Sequence, residues 1–215
     1  MAQLDLFKEQ DNKEKNLIIV GLDEAGRGPL VGPVYAGAVV LPPDFPLELL
    51  NDSKKLTATK RKKAEVCIKE KALAWATAFA THNEIDTMNI LNASMLAMKR
   101  AYIKVADKLS EKGITIDRAY ADGNKRPDLG IETIAIVKGD SKIPEIMAAS
   151  ILAKEERDRI MVLCSKKWPQ YAYDKHKGYP TKKHAQAILT FGPSPIQRKS
   201  FHVPELKHST QGKLF

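Results

Sequence analysis

Leu17-Ile18-Ile19-Val20-Gly21-Leu22-Asp23-Glu24-Ala25-Gly26-Arg27-Gly28-Pro29 decides how this chain is read. The β-branched, apolar run from Leu17 to Leu22 predicts a buried strand. Asp23 and Glu24 follow it directly. Two adjacent carboxylates beside a buried strand must bear a desolvation cost or meet a counter-charge, and a divalent cation suits two at once. Adjacent strand residues face opposite sides, so the pair can share one site only if the strand ends or bulges there. Gly26-Arg27-Gly28 then sets a cation between two residues without side chains, which lets a phosphate-bearing ligand approach the main chain.

Working outward, strand and helix patterns alternate. Tyr35–Leu41 reads as a second strand and Ala72–Thr81 as a third. Thr57 is the expected N-cap of a charged helix that runs to Lys71. Between the second strand and that helix, Leu41-Pro42-Pro43-Asp44-Phe45-Pro46 forms a rigid loop. Asn89–Glu111 carries apolar residues at helical spacing and stops before Gly113. Ile116–Ala121 and Glu132–Val137 are two further short strands. Pro144–Cys164 and Thr181–Leu189 are helices, the first opening on proline. This order predicts an α/β protein: a mixed five-stranded sheet flanked by helices, followed by a helical C-terminal region.

The 215 residues suffice for one domain with a full core. Its expected extent is 16–205, between an N-terminal tail (1–15) and a C-terminal tail (206–215). No apolar run reaches the length of a membrane span, and Met1 to Lys15 is too polar for a secretory signal. The two cysteines, Cys67 and Cys164, sit in helical patterns without a nearby partner and read as reduced thiols of a cytoplasmic protein, with a monomer as the default expectation. The net charge of +9 is unevenly placed, because residues 161–215 hold ten Lys/Arg against two acids. A basic region joined to a near-neutral body is the electrostatic footprint of nucleic-acid binding.

In α/β sheets, chemistry gathers where strand ends meet helix starts. Asp23, Glu24, Asp122 and Asp140 all fall at or just after predicted strand ends. Singly, Asp122-Gly123-Asn124 reads as a turn and Asp140 as a residue capping or preceding the helix at Pro144. Together, four acids favour a shared cation site, and oxygen-only ligation selects Mg²⁺ or Mn²⁺ over zinc. Two such ions ~4 Å apart can activate a water and stabilise the leaving oxygen of a phosphodiester.

Five blocks resemble bacterial ribonuclease HII: Gly21-Leu22-Asp23-Glu24-Ala25-Gly26-Arg27-Gly28-Pro29, Asn51-Asp52-Ser53-Lys54-Lys55-Leu56, Asp122-Gly123-Asn124, Lys138-Gly139-Asp140-Ser141 and His176-Lys177-Gly178-Tyr179-Pro180-Thr181. They run in order between about Ile18 and Phe201. The resemblance implies a ribonuclease H-like fold. It also implies endonucleolytic cleavage of RNA paired with DNA, including 5′ of single ribonucleotides embedded in duplex DNA, leaving 3′-hydroxyl and 5′-phosphate ends. By the same resemblance, Asp23, Glu24, Asp122 and Asp140 are the catalytic, metal-binding acids, with Mn²⁺ or Mg²⁺ as cofactor. Gly26, Arg27 and Gly28 would read the ribose 2′-hydroxyl through main-chain groups. Tyr179 would pack on the following deoxyribose, and Ser53, Lys54 and Lys55 would contact phosphates. The histidines receive no chemistry. The Gly-Arg-Gly turn and the short stretch before the first strand favour type HII over type HIII.

The tail Gln3-Leu4-Asp5-Leu6-Phe7 resembles the peptide by which bacterial replication and repair proteins dock on the sliding clamp. Leu4, Leu6 and Phe7 would fill an apolar pocket while Gln3 supplies a directed hydrogen bond. Gln211-Gly212-Lys213-Leu214-Phe215 is a weaker echo of it. Two other classes compete on the residues alone. A non-catalytic hybrid-binding protein would keep the acids as turn residues. A glycosidase would use paired acids without metal, but it leaves the basic region unexplained. A dinucleotide fingerprint is ruled out by glycine spacing and by Pro29.

Overall fold

The computed structural model describes residues 17–51, 53 and 56–202. Five strands form one mixed sheet: β1 (Ile19–Ala25), β2 (Val34–Val40), β3 (Ala74–Ala80), β4 (Arg118–Asp122) and β5 (Glu132–Ile136). Their order across the sheet is β3-β2-β1-β4-β5, with β1–β2 and β2–β3 antiparallel and β1–β4 and β4–β5 parallel. The helices are α1 (Ala58–Lys71), α2 (His82–Met88), α3 (Ile90–Ser110), α4 (Pro144–Lys167), α5 (Tyr173–His176) and α6 (Lys182–Phe191). The mixed five-stranded sheet and its flanking helices are as the sequence predicts.

The caps explain several boundaries. Thr57 and Thr181 accept from the amides three residues on, Lys60 and His184, and so start α1 and α6. Helix α2 was not expected, although its signal is present. Thr81 and Glu84 form a reciprocal capping box. Asn89, at φ 69°, then breaks the chain direction and caps α3 through its own side chain. Strand β1 also differs from expectation. It does not stop at Leu22 but stays in regular register with β2 through Asp23↔Gly37 and Glu24↔Ala36.

Each face of the sheet has its own core. Val20, Leu22, Ala36 and Ala38 pack under Met98, Ala101, Val105 and Leu109 of α3. On the opposite face Val39 packs with Ile68 of α1 and with Ala148, Ile151 and Leu152 of α4. Helix α4 lies unusually close to the strands. A Cβ at Gly21 would fall 2.1 Å from the Glu145 carbonyl carbon, and one at Gly37 would fall 2.3 Å from the Ala149 oxygen. These two glycines let the helix backbone rest on the sheet. A third cluster, of Leu30, Val31, Met161, Tyr171, Tyr173 and Ile188, attaches the C-terminal helices to the far half of α4.

The β3 edge is closed by a ladder of cations from α3 and the turn after it. Arg100, Lys104, Lys108 and Lys112 donate to the carbonyls of Phe79, Thr77, Trp75 and Leu73 respectively. These are the carbonyls that an added strand would need.

Candidate active site

Register brings the first acids together. Parallel pairing of Leu22 with Ala121 sets Asp23 and Asp122 side by side one residue further on. Asp23 shares the face of Gly21, the one covered by α4. Asp140 arrives on a 3-10 turn, Gly139–Ser141, just before α4, rather than as the cap of that helix, which is Ile143. Asp122 Oδ1 accepts from the amides of Gly139 at 2.7 Å and Asp140 at 3.4 Å, so β4 and the turn fix one another. One carboxylate oxygen from each of Asp23, Asp122 and Asp140 lies within 4.8 Å of the others.

Asp23 is 4 % exposed. Burial first, and then the charges of Glu24 and Asp122, push its carboxyl well above the usual carboxylate range. Hydrogen bonds from Ser150 and from the Glu24 amide offset part of this. Three crowded carboxylates offering hard oxygen atoms fit a Mg²⁺ or Mn²⁺ ion.

Glu24 takes a different position. The strand neither ends nor bulges at the Asp-Glu pair, so Glu24 is not one of the three converging carboxylates. It reaches Arg27 Nη1 at 3.3 Å and lines an adjoining cleft of about 240 Å³. That cleft is also bounded by Gly26, Arg27, Gly28, Ser53, Ser150 and Tyr179. Tyr179 is 45 % exposed, so it is not a core aromatic. A Cβ on Gly28 would meet its ring at 3.3 Å. Ser53 is buried and shares a hydrogen bond with Ser150 at 2.8 Å. Lys54, Lys55, Gln3, Leu4, Leu6, Phe7 and the C-terminal tail motif lie outside the described residues.

Sequence reasoning missed the parts that hold this cleft in shape. Arg157 is 1 % exposed and donates to the carbonyls of Pro33, Val31 and Lys177. Its Nε would lie 2.0 Å from a Cβ on Gly26, whose φ is +103°, so only glycine fits there. Arg198 is fully buried and donates to the carbonyls of Gly26, Arg27, Pro29 and Gly32. Two of the histidines left without chemistry, His176 and His184, brace Tyr179 and its neighbour. His184 Nδ1 donates to the Tyr179 carbonyl, and the Gly178 amide donates to His176 Nδ1. The two rings stack with centroids 4.6 Å apart. Burial lowers the pKa of both.

Comparison with known proteins agrees with this geometry. The family model described as ribonuclease HII matches residues 20–204. A ribonuclease HII of Cupriavidus pinatubonensis is 53% identical over 184 residues, covering 85% of this chain and 83% of that protein. Among solved structures, the ribonuclease HII of Archaeoglobus fulgidus in its complex with PCNA superposes with a TM-score of 0.68 at 23% identity, covering 87% of this chain and 96% of that one. Bst-RNase HIII in complex with Mn²⁺ gives 0.69 at 17% identity, with 92% and 71% covered. These two likenesses concern the fold. Among the described residues no helix is long and apolar enough to cross a membrane. The sheet, its acid corner, the family model and a relative more than half identical lead to one assignment: the chain belongs to the ribonuclease HII family and is a ribonuclease H-type hydrolase.

Proposed function

We propose that this endonuclease cleaves the RNA strand of RNA–DNA hybrids and nicks on the 5′ side of ribonucleotides embedded in duplex DNA, leaving 3′-hydroxyl and 5′-phosphate ends. The observation that carries the reading is the convergence of Asp23, Asp122 and Asp140 beside a glycine-lined cleft. Glu24, at the boundary of the two, joins the acids to the turn. In this reading Asp23, Glu24, Asp122 and Asp140 hold two Mg²⁺ or Mn²⁺ ions, which would activate the attacking water and stabilise the leaving oxygen. The Mn²⁺ complex of Bst-RNase HIII supports the choice of ion.

The chain's own groups divide the remaining work. The Gly26-Arg27-Gly28 main chain reads the ribose 2′-hydroxyl, the atom that separates RNA from DNA. Tyr179, exposed beside Gly28, packs on the following deoxyribose. Ser53, Lys54 and Lys55 position phosphates. The catalytic unit spans 16–205 as a cytoplasmic monomer. The N-terminal Gln3, Leu4, Leu6 and Phe7 dock on the bacterial sliding clamp, a reading in keeping with the PCNA complex of the Archaeoglobus relative.

The test offers a DNA duplex with one embedded ribonucleotide, with Mg²⁺, with Mn²⁺ and with chelator. A single nick 5′ of the ribonucleotide with either ion, and none in chelator, is the expected result. Absence of a nick under both ions refutes the proposal.

A further inference from the structure

Gly26-Arg27-Gly28 is a short, glycine-rich turn, and on sequence alone nothing would keep its peptide groups aimed in one direction. In an extended chain successive carbonyls point to opposite sides. Here the carbonyls of Gly26, Arg27 and Pro29 converge on one guanidinium. Arg198 Nη2 reaches the Gly26 oxygen at 2.7 Å, Nη1 reaches those of Arg27 at 3.0 Å and Pro29 at 2.7 Å, and Nε reaches that of Gly32 at 2.9 Å. The Leu30 carbonyl is taken by the Arg198 amide and by the Gln197 side chain.

A trans peptide unit carries its C=O and its N–H in opposite directions. Because the Gly26 and Arg27 carbonyls point at Arg198, the amides of Arg27 and Gly28 point away from it. Arg198 is 0 % exposed and lies behind the turn, whereas Gly26, Arg27 and Gly28 line the cleft. The guanidinium charge is met by these carbonyls and by the Phe201 ring, 4.9 Å from Cζ. A cation bound to a carbonyl polarises the peptide and strengthens its N–H as a donor.

We infer that Arg198 is a positioning residue that aims and polarises the Arg27 and Gly28 amides toward the substrate ribose. The inference rests on the proposed reading of this turn as the sensor of the 2′-hydroxyl. It makes ribonucleotide recognition depend on a segment about 170 residues away. Asp86 secures that segment by accepting from the amides of Lys199 and Ser200, both at 2.9 Å.

Arg198→Lys tests it. Lysine keeps the charge but lacks the planar fork that serves four carbonyls at once. At a temperature where circular dichroism shows both proteins fully folded, binding is measured with Ca²⁺ replacing the catalytic ions. The two probes are an all-DNA duplex and the same duplex with one ribonucleotide. The wild type is expected to prefer the second. The variant should lose about tenfold of that preference, with all-DNA affinity unchanged. A purely structural role would weaken both duplexes together or neither, and a folded variant with the wild-type preference overturns the inference. If the wild type itself shows no preference, the proposed reading of the turn falls and takes the inference with it. Should Arg198→Lys fail to fold, Asp86→Ala carries the test. It frees the amides beside Arg198 and should reduce the preference in the same direction, and an unchanged preference again overturns the inference.

Discussion

The acid corner and the glycine-lined cleft beside it handle buried charge in opposite ways. On the acid side, Asp23, Asp122 and Asp140 crowd together, and burial, then the charges of Glu24 and Asp122, hold the Asp23 carboxyl well above its ordinary range. On the glycine side, Arg157 and Arg198 are equally buried, yet their donors are taken by main-chain carbonyls. The first arrangement suits an outside cation, whereas the second is met by main-chain carbonyls of the chain itself. In the proposed reading catalysis and shape are sustained by different residues, and substitutions should separate them.

The largest separation is expected from Asp23→Asn. It removes a carboxylate that costs the fold desolvation and repulsion, so melting in chelator should be unchanged or raised. Cleavage of a ribonucleotide-containing duplex should fall by roughly 10³-fold or more, on the order of 4 kcal/mol in the barrier. A variant that loses melting temperature along with activity would erase the distinction between the two sides.

Gly26→Ala attacks the other side. Alanine at φ +103° is strained, and its Cβ would meet Arg157 Nε at 2.0 Å. A loss of about 1–3 kcal/mol in urea unfolding is expected, together with weaker preference for the ribonucleotide. Wild-type stability would show that the turn is not held as tightly as its bonds imply.

The smallest effect concerns pH. Burial lowers the pKa of His184 in the folded state. The unfolded chain therefore binds more protons below about pH 6.5. The stability that neutral His184 contributes is complete above that pH and is lost as the pH falls. His184→Asn retains a donor for the Tyr179 carbonyl but does not titrate. Its melting temperature should fall less than that of the wild type between pH 7 and pH 5. Parallel curves would remove His184 from the account.

Local signals made much of this legible. The strand and helix patterns, the Thr57 cap, Pro144 at the start of α4 and the acids at strand ends all act within a few residues. What stayed hidden acts across the fold. Arg198 reads in sequence as one more cation of a basic C-terminal region, yet it points inward at carbonyls about 170 residues away. The serine pair Ser53–Ser150 and the arginine Arg157 are similarly long-range. Helix α2 had a readable capping box, but its seven residues filled the gap between two stronger patterns. The extra strand length at Asp23 and Glu24 came from pairing with β2, which no property of those two residues announces.

The cation ladder on β3 works as a vernier. Each rung advances four residues along the helical path, ~6.0 Å, and retreats two along the strand, ~6.6–6.8 Å. The two scales slip by roughly 0.7 Å per rung, or about 2 Å across four rungs, a slack that flexible lysine stems can absorb. Parity is less forgiving than length. One residue inserted within Ala74–Ala80 would turn the carbonyls on one side of the insertion away from their cations. It would leave part of the sheet margin open to a foreign strand, although no charge had been removed.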